Sequence, residues 1–176
     1  MVIKEITGLA EYRAALIELL NDSVAGGASV GFLPPLSDTD AANYWVSVEE
    51  DLHAGARRVC VAIADGKVVG VVQLALHGKA NGNHRGEVEK LMVHSACRGR
   101  GIARLLMEKI EQCARDSGRS LLILDTRVGD VAEQLYRKIG YIEAGQIPAF
   151  ARSAAGTLDA TCIFYKQLEP APSTAG

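Results

Sequence analysis

Several features common in other protein classes are scarce in this 176-residue sequence. No apolar run approaches the roughly 20 residues of a membrane span. The best candidate, Val68 to Leu76, has the length of a strand and contains Gln73. Neither sign of charge dominates: 19 basic and 21 acidic residues give a formal net charge of -2. Nucleic-acid binding draws on many Lys/Arg–phosphate contacts, so this balance argues against it, though not against one local basic site. The four cysteines, Cys60, Cys97, Cys113 and Cys162, form no C-x-x-C pair. That spacing argues against a disulfide framework and against a metal site. Cys60 and Cys162 lie inside apolar runs, as small buried hydrophobes do. The first residues lack a basic segment leading into an apolar one, so no secretory leader is expected and the cytoplasm is the expected location.

What is present is ordinary globular material, 48% hydrophobic and 23% charged. A chain of this length should bury roughly 70% of its unfolded surface, so its core can close without a metal or a disulfide. There is no internal repeat or linker. Residues 1–169 are expected to form one domain, and the Pro- and Ala-rich residues 170–176 a disordered tail.

Periodicity divides the chain into alternating types. Val2 to Ile6 reads as a short strand. Residues 9–24 carry Tyr12, Leu16, Leu19, Leu20 and Ser23 at helical spacing. Gly26 to Phe32 is a glycine-rich loop, and Ser37 to Asp40 resembles a helix-capping box with Asp as the acidic partner. A second helix carries Ala41, Tyr44, Trp45, Val48 and Leu52 on one stripe. Arg57–Ala64 and Lys67–His77 are β-rich runs joined by Asp65-Gly66, a strong two-residue hairpin signal. Glu87–Val93 is a further strand. A long helix follows within 98–117, with Ile102, Leu105, Leu106, Ile110 and Cys113 in its stripe. Then come a strand at 121–126, a helix at 131–139 and strands at 141–146 and 161–168. This order defines an α+β (mixed α/β) sheet whose 87–126 unit is a parallel crossover.

The strongest chemical signal is Arg98-Gly-Arg-Gly-Ile-Ala103, between a strand and an amphipathic helix. Its two glycines allow a tight turn and close approach of a ligand. The helix start offers unpaired N–H groups and the positive end of its dipole, which suit an anion such as a pyrophosphate. The nucleotide P-loop pattern is absent, and Arg104 stands where a dinucleotide fingerprint needs its third glycine. Taken alone, the segment is also compatible with a simple tight turn flanked by solvated arginines.

Two further segments add to it. Arg98–Ala103 matches the Gln/Arg-x-x-Gly-x-Gly/Ala phosphate motif of the GNAT superfamily of N-acetyltransferases. Glu87-Val-Glu-Lys-Leu-Met-Val93 resembles that family's fourth strand, and Ala132 to Tyr141 resembles its A-x-x-L-Y-x-x-x-G-F/Y motif. The resemblance implies a GNAT fold, with a seven-stranded twisted mixed sheet and about four helices. It also implies acetyl-CoA as donor, with no metal. Backbone N–H groups of Arg98, Gly99, Arg100, Gly101, Ile102 and Ala103 would hold the pyrophosphate, and the backbone of Leu91, Met92 and Val93 the pantetheine arm. A β-bulge would splay two strands and aim one N–H at the thioester. One departure is Gly129, which stands where the family often has Asn.

By the same resemblance Tyr136 would protonate the departing thiolate; its position beside Val131, Leu135 and Ile139 is equally that of a packing residue. A narrower similarity, through Gly26–Phe32, Asn81–Arg85, Glu87–Val93 and Leu124–Thr126, points to the tabtoxin-resistance branch of the family. It implies Glu87 and Asp125 as the acidic pair at the acceptor, either as general base or as binders of its ammonium group. Ser29, Phe32, Asn83 and Arg85 are the expected substrate-binding residues, with Arg127 and His84 nearby. His84 and His94 are weaker candidates for a base. Cys97 has no base beside it, so a covalent acyl-enzyme is not expected.

The expected activity is acetyl transfer to the amine of a small amino-acid-like molecule, with tabtoxinine-β-lactam as the specific candidate and toxin or antibiotic resistance as the expected role. A non-catalytic acyl-CoA sensor and an enzyme acetylating protein amines are the alternatives. The partner is a small-molecule amine, without nucleic acid or membrane, and the protein a monomer or homodimer.

Overall fold

A computed structural model describes residues 1–169; the expected tail at 170–176 lies outside the described residues. The chain runs β1 (Val2–Ile6), α1 (Arg13–Ala25), α2 (Asp38–His53), β2 (Arg57–Ala64), β3 (Lys67–Leu76), β4 (Arg85–Val93), α3 (Ile102–Asp116), β5 (Leu121–Arg127), α4 (Val131–Lys138), β6 (Ile142–Arg152) and β7 (Leu158–Gln167). Single 3-10 turns occupy Ala80–Gly82 and Ser95–Cys97. The strands form one seven-stranded sheet in the order β1-β2-β3-β4-β5-β7-β6. Among the described residues only β4 and β5 run parallel. This is the mixed sheet with four helices that the sequence pattern implies.

Each face of the sheet has its own core. Leu74, Val88, Leu122, Leu124 and Phe164 meet Leu106 and Ile110 of α3 on one side. Val59, Val61, Val71 and Met92 meet Leu16 and Leu20 of α1 and Trp45 of α2 on the other. Period-two alternation sorts the strand residues between these faces. Each large side chain fully buried in this way contributes about 1.5–3 kcal/mol.

Several boundaries depart from the sequence reading for identifiable reasons. The first helix starts at Arg13, not at residue 9. Leu9 N–H is instead taken by the Glu49 carboxylate of α2 at 3.2 Å, and Tyr12 N–H closes a turn onto Leu9 O at 2.9 Å. On α3, Leu105 is exposed rather than in the stripe, and Met107 and Ala114 are buried there. The β6–β7 hairpin extends well past the expected 141–146 and 161–168, because a register shift between Ile147 and Ala151 lets the ladder resume. Pro148, which has no N–H to give, is tolerated because β6 is an edge strand. The cap of α2 is as expected: Asp40 N–H donates to Ser37 Oγ at 3.1 Å, and the Ser37 hydroxyl donates to the Asp40 carboxylate at 2.7 Å.

Candidate active site

The parallel strands β4 and β5 pair only over Arg85–Glu87 and Leu121–Ile123. Beyond that point they diverge, and a cleft opens between their C-terminal halves. The cause lies on the other edge of β4. Glu89 pairs with Gln73, yet Met92 already pairs with Val71, so Lys90 and Leu91 together oppose Val72. Lys90 adopts a left-handed backbone with φ 52°. This is a β-bulge, which bends the strand and turns it away from its neighbour. It also inverts the alternation: Leu91 and Val93 pack on the α3 side, and Met92 on the α1–α2 side.

The bulge leaves backbone groups facing the cleft. His94 N–H donates to Val69 O at 2.9 Å. Bonded and non-bonded pairs alternate in an antiparallel ladder, so Val93 turns its own N–H and C=O away from β3. Arg98 Nε already donates to that carbonyl at 3.2 Å.

The loop that follows is built as an anion cradle. Gly99 and Gly101 have φ 75° and 76°, values that favour glycine. A Cβ built on either would meet nothing within 4 Å, so the space beside them is open. Gly101 caps α3 without any side-chain hydrogen bond, and the first turn holds no acidic residue. The first helical bond is donated by Leu105 to Gly101 O at 3.2 Å. The N–H groups of Ile102, Ala103 and Arg104 therefore have no partner within the helix. A helix start so free of the usual capping acids, with Arg98 and Arg100 exposed beside it, fits a phosphate.

Charges on the cleft's other side are partitioned. Glu87 and Glu89 lie on the α1–α2 face of β4. Arg57 Nη1 donates to Glu89 at 2.6 Å and to the fully buried Gln73 at 2.9 Å, while Arg57 Nε contacts Asp51 at 3.1 Å. Tyr44 adds a hydroxyl to the same Gln73 oxygen at 3.1 Å. Glu89 is thus neutralised, and Glu87 has no such partner among the described residues. Partial burial in the cleft, followed by the charges of Glu89 and Asp125, raises the pKa of Glu87 above the ordinary glutamate value. Asp125, at the diverging end of β5, accepts from the Thr161 hydroxyl of β7 at 2.7 Å.

Tyr136 on α4 is buried, and its ring lies 5.9 Å from those of Tyr141 and Phe164. It therefore packs, as a helix-stripe residue would. Burial first, then the charges of Asp130 and Asp125, push its phenol pKa up, so the proton is firmly held at neutral pH.

The glycine-rich loop and the β6–β7 hairpin border a half-open cavity of about 240 Å³ whose lining includes Ser29, Phe32, Arg127, Arg152, Asp159 and Thr161. Ser29 and Phe32, expected to bind the acceptor, belong to this lining. Asn83 and Arg85 do not line this cavity. They belong to the entry of β4, and Arg85 Nη2 contacts His77 Nε2 at 2.9 Å. Arg127 is also engaged: it donates to Gly27 O at 3.2 Å and lies 3.6 and 3.7 Å from Asp130 and Asp159. His94 Nδ1 accepts from Ala96 N–H at 3.2 Å, a local tie within the turn before the cradle. Sequence reasoning missed the Arg57–Gln73 network, Thr161 and Lys90. Among the described residues no group of three or more His, Cys, Asp or Glu is arranged to hold a metal. No helix there is long and apolar enough to cross a membrane.

A split parallel pair with an anion cradle at its end is the geometry of the site, and comparison with known proteins identifies the class. The sequence profile of the Acetyltransferase (GNAT) family matches residues 14–141, and the chain belongs to that family. A solved ribosomal-protein-alanine N-acetyltransferase from Brucella melitensis superposes with TM-score 0.82 at 25% identity, covering 96% of this chain and 100% of that one. The structure of yncA from Salmonella typhimurium, described with its cofactor acetyl-CoA, superposes with TM-score 0.78 at 18% identity, covering 99% and 100%. A protein described as an IAA acetyltransferase from Azospirillum brasilense is 39% identical over 89 residues, 50% of this chain. The match spans 56% of that relative, so just over half of its length is represented.

Proposed function

We propose that this enzyme transfers acetyl from acetyl-CoA to the amine of a small amino-acid-like molecule by direct attack. Acetyl-CoA would supply the activated acyl group as a thioester. The residues of the cleft fit that donor: the open cradle at Arg98–Ala103 suits its pyrophosphate, and the free edge of β4 at Leu91–Val93 suits its amide-bearing arm. The Val93 N–H, turned away from β3, would donate to the thioester oxygen as negative charge builds there. Glu87, with its raised pKa and no cationic partner, takes the proton from the acceptor's ammonium group. Asp125, held by Thr161, attracts and orients that ammonium. Tyr136 gives its proton to the sulfur as the carbon–sulfur bond breaks, and is reprotonated by the second proton, which the nitrogen loses on becoming an amide.

The observation that supports the acceptor class is the small, half-open cavity beside the glycine-rich loop. At about 240 Å³ it suits a small molecule better than a protein tail. Thr161 belongs to its lining and also donates to Asp125 at 2.7 Å, a single hydrogen bond that links the cavity wall to that carboxylate. On the resemblance to the tabtoxin-resistance branch, tabtoxinine-β-lactam is the specific candidate, with detoxification as the role and the cytoplasm as the place. Acetylation of a protein amine is the second reading, supported by the relative described as a ribosomal-protein-alanine N-acetyltransferase. CoA release should be measured with free amino acids, a β-lactam amino acid and peptides with N-terminal alanine. Turnover of the free acceptors supports the proposal. Turnover of the peptides alone overturns it in favour of the second reading, and CoA release with none of them would favour a sensor.

A further inference from the structure

An amino-acid acceptor brings a carboxylate as well as an amine, and the anionic end needs a cation. Several basic side chains lie near the cleft or line the cavity; among them Arg152 donates to the Gly156 carbonyl at 2.8 Å and Arg98 to the Val93 carbonyl at 3.2 Å. Arg57 is committed to Glu89, Asp51 and Gln73. Arg85 is engaged with His77, and Arg127 with Asp130, Asp159 and the Gly27 carbonyl. Lys90 differs from each of these in having neither an ion pair nor a hydrogen bond to a described residue.

The bulge decides where Lys90 goes. Strict alternation would place it with Val88, under α3. Its left-handed backbone instead brings it to the α1–α2 face. There its Nζ lies 5.7 Å from the centre of the Tyr44 ring. It is also 3.7 Å from the point where Gly31 would carry a Cβ. Gly31 and Phe32 line the cavity, and Phe32 meets the Tyr44 ring edge-on at 5.3 Å. The ammonium is therefore half-buried between an aromatic ring and the glycine-rich loop. It is on the same face as Glu87, and one bulge away from the backbone that would present the acetyl group. A half-buried cation whose donors meet no acceptor has lost hydration, and the charges of Glu89, Asp125 and Glu87 act on it only across a distance, so a ligand anion in contact restores what it lacks.

We infer that Lys90 is the residue that reads the acceptor's carboxylate, so that the site recognises a zwitterion: ammonium toward Glu87 and Asp125, carboxylate toward Lys90. This rests on the amino-acid reading of the acceptor above. It adds that neutral amines of the same shape are selected against by the missing ion pair.

The test compares an amino acid that the wild-type enzyme acetylates with the primary amide of the same amino acid. The readout is the ratio of their kcat/KM values. Lys90→Gln should lower the preference for the carboxylate form about 10- to 100-fold, mainly through KM for that acceptor. Lys90→Arg should keep most of the preference. Both replacements occupy the same backbone conformation, so strain at the bulge is common to the two. Acetyl-CoA affinity by calorimetry should be equal in all three proteins. An unchanged preference in Lys90→Gln overturns the role of Lys90 while leaving the acceptor class standing. An equal collapse with Gln and Arg overturns it too, since charge would not be the cause. Wild-type enzyme that acetylates neither acceptor overturns the amino-acid reading and this inference with it.

Discussion

Arg57 of β2 holds Glu89 of β4 at 2.6 Å, and that contact separates two carboxylates that share one strand face. Glu89 becomes part of a polar network beneath the cleft, and Glu87 stays available. If Glu87 is the base, Arg57 also tunes it from a distance, because its positive charge lowers the pKa of Glu87 while burial and the nearby acids raise it. Arg57→Met should therefore move the acid limb of the kcat/KM–pH profile to higher pH. Its side chain is only 14% exposed, so losing its three partners should also cost about 1–3 kcal/mol in thermal or chemical unfolding. An acid limb that stays in place would assign that limb to another group.

Glu87→Gln tests the base itself. A base contributes typically 10²–10⁴-fold, and the loss should persist at saturating acceptor. It should be partly relieved at high pH, where more of the amine is already neutral. Full recovery of kcat at saturation would make Glu87 a binding residue only.

The same substitution has a signed effect on stability. Folding raises the pKa of Glu87, so its contribution to stability is fully present below the unfolded value of about 4.3 and is lost as pH rises through the folded one. At neutral pH the charged carboxylate weakens the fold, and a glutamine does not. Glu87→Gln should melt above the wild type at pH 7 to 8, and the two curves should converge below about pH 4. Calorimetry across that range checks it; a lower melting temperature at neutral pH would mean that Glu87 makes a stabilising contact.

Tyr136→Phe keeps the ring among Tyr141 and Phe164 and removes only the hydroxyl. kcat should fall about 10²-fold, the lower end for general acid help, because a thiolate leaves fairly well unaided. Acetyl-CoA affinity should hold. Wild-type turnover in this variant would leave Tyr136 as a packing residue.

Gly101→Glu should abolish acetyl-CoA binding. It sets a negative side chain at the positive end of α3 and forces a left-handed backbone on a residue with a Cβ. Binding calorimetry on the folded variant decides, and unaltered affinity would remove the loop from the donor site.

The cradle was legible in the sequence because its chemistry is local. Two glycines, two arginines and the start of an amphipathic stripe stand within six residues, and the hairpin at Asp65-Gly66 announces itself in the same way. Lys90 was not legible, because alternation places it in the core and only the bulge turns it out. The Arg57 network draws on α2, β2, β3 and β4, and Thr161 reaches Asp125 from 36 positions away. Such pairings depend on sheet order, which strand patterns alone leave open. Gly129 shows a limit of another kind: the family's usual Asn is absent, and the Gly129 N–H is taken by the Glu133 carboxylate at 2.6 Å.

The two walls of the cleft are made of different material. On the proposed reading the donor wall is main chain: the Val93 N–H, the peptide groups of residues 98–103 and the amide row that opens α3. The acceptor wall is side chains drawn from a loop, three strands and a hairpin. Point mutations at most positions of the donor wall leave its working atoms untouched, whereas a change at Ser29, Phe32 or Arg152 alters the wall of the cavity itself. A lineage built this way can drift from one amine to another by single steps without ever losing its acetyl donor.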